Sequence, residues 1–177
     1  TTEEAIAKAA DLTSVELVDR LISAIYVQTR NEDTDKYCAI AKAYYDALSD
    51  TDKGKLEEAD YFGADTGDAS ADKAKEEARQ AEQIGEKELL VVSFGTSFND
   101  SRVKTVLAVE NALEAAYPDY SVRRAFTAQI IINHIQAREG YAIDNMDQAL
   151  ERAVKDGVKE LVVQPTHLMH GAEYDEL

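Results

Sequence analysis

The chain has no tryptophan, one cysteine and two prolines in 177 residues. A single cysteine, Cys38, excludes an intrachain disulfide and any zinc site built from several thiolates. No run approaches the ~20 apolar residues of a membrane span. Basic residues are scarce. Asp and Glu outnumber Lys and Arg by 21 to 11 in residues 1–87 and by 14 to 8 in residues 88–177, for a net charge of −16. Neutralising phosphate needs a basic surface, so nucleic acid is not an expected partner, and an anionic membrane surface is disfavoured for the same reason. No signal peptide is visible, but the chain opens at Thr1 rather than Met, which leaves an upstream targeting segment open.

Hydrophobic residues still make up 45%, enough for a real core at a mean hydropathy of −0.40. Residues 1–60 read as an all-helical module. Val15, Leu17, Val18, Leu21, Ile22, Ile25 and Tyr26 form a one-face stripe, with Thr13 or Ser14 as N-cap and Glu16 and Asp19 in the first turns. A second helix is expected from Thr34 to Leu48, and a shorter third from Lys53 to Ala59, capped by the turn Ser49–Asp52. Residues 61–87 are poor in apolar side chains and read as a linker.

From residue 88 the pattern alternates between strand and helix. Leu89–Val92 is a run of four aliphatics, the mark of a strand buried on both faces. Helical periodicity follows over 102–116, then a strand at Ser121–Phe126, helices over 130–136 and 147–155, a glycine stop at Gly157, and a strand at Glu160–Gln164. This order predicts an α/β fold, a parallel sheet flanked by helices, behind an N-terminal all-α module. In such sheets ligands bind beyond the carboxyl ends of the strands. Ser93, Phe94, Gly95, Thr96 and Ser97 sit there after the first strand, and His167 after the third.

Ser93, Thr96 and Ser97 can cradle an anion together with the amides of the following helix start, while Gly95 lets the backbone come close. The plainer reading is an N-cap cluster of Ser97, Asn99 or Asp100. His167 is expected to line the pocket as a proton acceptor or ligand. His170 reads as solvated and His134 as a surface or packing residue. Glu173 and Asp175 read as ligands or, preferably, as an acidic helix cap. One of Arg123 and Arg124 can pair with a substrate carboxylate, the alternative being a structural ion pair. Cys38 reads as a buried small apolar residue. Neither a G-x-G-x-x-G nor a G-x-x-x-x-G-K-[ST] pattern is present, which weakens a phosphate-binding enzyme.

Four blocks, Leu89 to Asp100, Arg123 to Thr127 with Gln129 to Ile131, Asp144 to Leu150, and Gln164 to Asp175, resemble in order the anaerobic-type sirohydrochlorin cobaltochelatases, class II tetrapyrrole chelatases. The resemblance implies a two-lobed fold of which residues 88–177 are the first α/β half, with the family's metal-binding histidines and glutamate in a second half. Phe94, Thr127 and Glu173 are the positions related to those ligands by internal symmetry, so Thr127 and Glu173 join the expected pocket, and no metal ligand is assigned. It further implies a tetrapyrrole substrate, Co²⁺ as substrate rather than as a tightly held cofactor, and compatibility with a homo-oligomer. A chain ending at Leu177 is then expected to be truncated and inactive alone. The alternative is a surface-exposed tetrapyrrole- or metal-binding scaffold without catalysis. Ile25 to Gln28 and Ala41 to Lys53 are similar to helical modules repeated in Gram-positive surface proteins, which implies an extracytoplasmic location, with a cytoplasmic one as the alternative.

Overall fold

A computed structural model describes residues 12–26, 28–63 and 66–175. The helical reading of residues 1–11 lies outside them. The chain divides into two compact units, residues 1–65 with 133–142, and residues 66–132 with 143–177.

In the helical unit, α1 (Ser14–Ile25) starts at a capping box. Glu16 N donates to Thr13 Oγ1 at 3.3 Å, and the Glu16 carboxylate accepts from Thr13 N at 2.9 Å. This satisfies two of the helix-start donors reciprocally. Helix α2 (Glu32–Asp46) is capped in the same manner by Asn31. Val18, Leu21, Ile22 and Ile25 meet Cys38, Ala41, Tyr45 and Leu48 in one core with Tyr61 and Phe62. The third helix differs from expectation. Ser49 caps a single turn, α3 (Asp50–Lys53), which ends at Gly54, and a separate turn, α4 (Asp60–Gly63), carries Tyr61 and Phe62 into the core. The capping serine sets the helix start three residues ahead of the expected one.

The sheet unit opens with α5 (Ser70–Ala81), followed by β1 (Lys87–Ser93). Helix α6 covers residues 99–116 and widens into a π turn at Val103–Leu107. Then come β2 (Ser121–Phe126), α7 (Gln129–Glu139), α8 (Met146–Asp156), β3 (Glu160–Pro165) and the turn α9 (Ala172–Asp175). From Asn133 onward α7 counts with the helical unit. The sheet is parallel throughout, in the order β2-β1-β3. Alternate residues of β1 serve its two faces. Leu89 and Val91 pack with Val122, Leu113 and Tyr120, and Leu90 and Val92 with Ala125, Met146 and Ala149. Helix α8 runs from a capping box at Asn145 to Gly157 at φ 76°. That is the glycine stop read from the sequence.

Residues 61–87, read as a linker, contain the main departure. Helix α5 is a packed element whose buried residues are Asp72, Glu76 and Arg79. Asp72 accepts from Arg102 Nε at 2.7 Å and from Arg124 Nη2 at 2.7 Å. Glu110 of α6 accepts from Arg124 Nε at 2.7 Å and from Arg79 Nη1 at 2.6 Å. The helix therefore joins the unit through charges rather than through an apolar stripe, which is why it looked like linker. Arg124 was open to a substrate carboxylate or a structural ion pair; it is committed to the structural pairs.

Candidate functional site

The carboxyl ends of the three strands bring side chains from each to one place. Ser93 at the end of β1 and Thr166 after β3 share a 2.8 Å hydroxyl–hydroxyl hydrogen bond. Thr127 after β2 and His167 after β3 are joined Oγ1 to Nε2 at 3.3 Å. The backbone fixes these positions. Thr127 N donates to Ser93 O at 3.0 Å, Ala128 N to Phe94 O at 3.3 Å, and Thr166 N to Val92 O at 2.9 Å. The parallel ladder is thus prolonged past the strands, with His167 aligned by its neighbour Thr166.

Gly95 adopts φ +98°, and a Cβ there would lie 2.5 Å from the Phe126 ring. Only glycine allows both the left-handed backbone and this approach. The loop after it is held by buried Arg102, whose Nη1 donates to Thr96 O at 2.9 Å while Nε holds Asp72. The start of α6 is not capped by Ser97, Asn99 or Asp100. Phe98 stands at the N-cap position without a side-chain bond. Instead Thr66 accepts from Asn99 N through its hydroxyl at 3.1 Å and from Asp100 N through its carbonyl at 2.8 Å. Phe98 N donates to Thr96 Oγ1 at 3.2 Å. These three amides are therefore engaged within the chain and do not serve the anion cradle read from the sequence.

His167 Nδ1 and Glu173 Oε2 are buried without a hydrogen-bond partner. A buried imidazole nitrogen with no acceptor or donor opposite it is costly unless something meets it. The ring of Tyr174 stands edge-on to His167 at 6.4 Å and to His170 at 4.5 Å. His170 is largely solvated, with Nδ1 3.9 Å from Asp175. Around the polar centre the surface is apolar and open: Phe94 is 48% exposed, Phe98 60%, Met169 82% and Leu168 99%. Among the described residues no three His, Cys, Asp or Glu side chains gather as a metal-ligand group.

Elsewhere, His134 stacks on Tyr61 with ring centroids 4.3 Å apart, and its Nε2 lies 2.6 Å from Tyr61 O. Burial lowers its affinity for a proton. It is a packing residue. Cys38 is buried as well, its thiol pushed up to about 12 by desolvation, so it is not a nucleophile at neutral pH.

Residues 87–177, from the first residue of β1 onward, match the family model for cobalt chelatase (CbiK). The chain belongs to the CbiK cobalt chelatase family. It is similar to the sirohydrochlorin cobaltochelatase of Salmonella typhimurium, 41% identical over 91 residues, which are 51% of this chain and 34% of that protein. The chain thus spans about a third of the length of that relative. The helical unit's residues 12–63 and helix α5 precede the matched segment.

The site residues the sequence missed are Thr166 and Arg102. Thr166 follows Pro165 at the end of β3, where an extended strand delivers its hydroxyl to Ser93; the Pro-Thr-His order was the available signal. Arg102 lies two residues past the first matched block, and its partner Asp72 sits in the segment read as linker.

Proposed function

We propose that the complete protein inserts Co²⁺ into sirohydrochlorin, and that the carboxyl edge of this sheet forms one wall of the pocket. The observation that carries this reading is the convergence of Ser93, Thr127, Thr166 and His167 from three strands, inside the segment shared with a cobaltochelatase. Metal insertion releases two pyrrole N–H protons for each Co²⁺ taken up, so a chelatase needs a proton acceptor beside the macrocycle. The unpartnered Nδ1 of His167 can accept one, with Nε2 held by Thr127. Hydroxyls of Ser93 and Thr166 can hydrogen-bond substrate carboxylates. The exposed rings of Phe94 and Phe98 with Leu168 and Met169 offer an apolar surface for the flat macrocycle.

This reading assigns the metal ligands to parts of the relative that the shared segment does not reach. The 177-residue chain alone is accordingly inactive in a visible-spectrum assay of sirohydrochlorin with Co²⁺. In the full-length protein, His167→Ala lowers kcat by ~10²–10⁴-fold if the imidazole moves a proton. His170→Ala has a milder effect. Equal, near-parental activity of both variants with unchanged melting would remove His167 from the mechanism, and robust turnover by the 177-residue chain would show that these residues suffice. Resemblance of the helical module to surface-protein modules supports an extracytoplasmic location, which cell fractionation tests.

A further inference from the structure

The loop that follows β1 is tied down by a part of the chain that lies ahead of the segment matched to the family. Residues 66–81, which include helix α5, precede residue 87, where the match begins. They nonetheless hold the start of α6. Asn99 N and Asp100 N donate to the hydroxyl and the carbonyl of Thr66, and Asn99 Nδ2 donates to Gly67 O at 2.9 Å. Gly67 adopts φ +102°, and a Cβ there would collide with the Asp100 carboxylate, so this segment needs glycine to lie against the helix start.

Arg102 is the centre of the tie. It is fully buried, and its three nitrogens donate in three directions: Nε to Asp72 Oδ2 at 2.7 Å, Nη1 to Thr96 O at 2.9 Å and Nη2 to Asn99 Oδ1 at 2.7 Å. A guanidinium is planar and rigid, so seating one edge on Asp72 sets where the Thr96 carbonyl must lie. Asp72 is anchored in turn by Arg124 of β2, whose Nη2 donates to its Oδ1 at 2.7 Å. Arg102 N also donates to Phe98 O at 2.9 Å, and Gly95 is confined by its positive φ and by the Phe126 ring. The loop backbone is thus pinned at Gly95, Thr96 and Phe98, while the rings of Phe94 and Phe98 stay exposed. Exposed aromatic rings on a backbone fixed from within make a preorganised binding surface, because the cost of ordering is met before a ligand arrives.

We propose that Asp72 is a positioning residue of the candidate pocket: acting through Arg102, it holds the loop from Phe94 to Phe98 in the form that receives the tetrapyrrole ring. The proposal rests on the chelatase reading, in which this loop is part of the pocket wall. It places part of the pocket's geometry under the control of α5, a helix ahead of the matched segment. Asp72 acts on how tightly the ring is held rather than on proton transfer. Ser93, Thr127 and His167 are aligned by the backbone bonds that prolong the sheet, and none of these bonds involves Arg102.

The test compares Arg102→Gln and Asp72→Asn in the full-length protein. Both leave Arg124 with Glu110 and Glu76, and Arg102→Gln also leaves Asp72 paired with Arg124. KM for sirohydrochlorin should rise by ~10-fold, about the worth of one charge-assisted hydrogen bond, with kcat changed by less than roughly threefold. A variant that only folded less well would lower kcat and leave KM alone. Hydrogen exchange without substrate reads the loop directly. Amides of residues 94–98 should exchange about tenfold faster in both variants, with those of β1 as slow as in the parent. Glu77→Ala, on the exposed face of α5, should match the parent in both measurements. The proposal is overturned if loop exchange is unchanged in both variants, if β1 loosens together with the loop, or if the loop is released and KM stays at the parental value. A parent that neither binds nor turns over sirohydrochlorin would overturn the chelatase reading and the ring as ligand, while loop exchange still decides whether Asp72 positions the loop.

Discussion

The two outer strands of the sheet are treated in opposite ways. β2 is buried from Val122 to Phe126, and its outer arginines are met by α5 through Asp72, Glu76 and the Glu82 carbonyl. β3 pairs with β1 over the same length, yet Leu161, Val162 and Val163 stay 36–40% exposed. The backbone ladder is equivalent on the two sides. What differs is the layer beyond it. On the β2 side that layer is ionic, with Arg124 shared among Asp72, Glu76 and Glu110, whereas on the β3 side the aliphatic residues are only partly covered among the described residues. Removing one partner of a buried ion pair strands a charge, so the β2 side is the more fragile to single changes.

The sharpest way to break this contrast is to remove the centre of the ionic layer. Arg124→Ala leaves Asp72 and Glu110 buried with fewer partners, and a loss of about 3–5 kcal/mol in unfolding free energy is expected from urea denaturation. Thermal melting should fall with it. A loss below ~1 kcal/mol would mean that water or rearrangement satisfies the carboxylates and that the layer is not a keystone.

Acidity sharpens the contrast next. Glu88 of β1 is buried with one carboxylate oxygen unpartnered, and desolvation raises its carboxyl to about 7, against the pull of Arg123. Its folded pKa lies above its unfolded one. Between the ordinary glutamate range and pH 7 the native state therefore binds more protons than the unfolded chain, and this group's contribution to stability declines as pH rises through that window. It is fully present below pH ~4.5 and lost above pH ~7. Glu88→Gln should flatten that slope by roughly 2–3 kcal/mol when urea midpoints are compared at pH 5 and pH 8. An unchanged slope would locate the pH response elsewhere, with Glu76, whose carboxyl burial also raises, as the next group to test.

The smallest effect is expected on the open side. Val162→Thr should shift stability by no more than ~0.5 kcal/mol, since its side chain is already partly in water. A loss comparable to that of Arg124→Ala would erase the distinction between the two edges.

Much of this was legible in the sequence. The four aliphatics Leu89–Val92 announced a strand buried on both faces, the stripe of α1 its core face, and Gly157 the end of α8. Hydropathy carried each of these. It could not carry α5, because Asp72, Glu76 and Arg79 look solvent-bound when read one at a time and become interior only beside Arg102, Arg124 and Glu110. The cap of α6 departs from the local pattern for a related reason. Local candidates stood at Ser97, Asn99 and Asp100, whereas the actual acceptor, Thr66, comes from more than thirty residues away. At the strand ends Ser93, Thr127 and His167 could be anticipated from position alone, but their pairing with one another, and with Thr166, required the register of the sheet.

The π turn at Val103–Leu107 has its own bearing on how this molecule could be altered. A wide turn of this kind is equivalent to one residue inserted into an α-helix. Each helical residue advances about 100° around the axis. Arg102 ahead of the turn is aimed at Thr96 and Asp72, while Glu110 and Leu113 behind it are aimed at Arg124, Arg79 and the β1 face. The two ends of the helix are in different phase, and the bulge reconciles them. Excising a single residue from the wide turn would return it to an ordinary α turn with both ends still aimed at their targets, so a deletion here should injure the protein less than one elsewhere along the same helix.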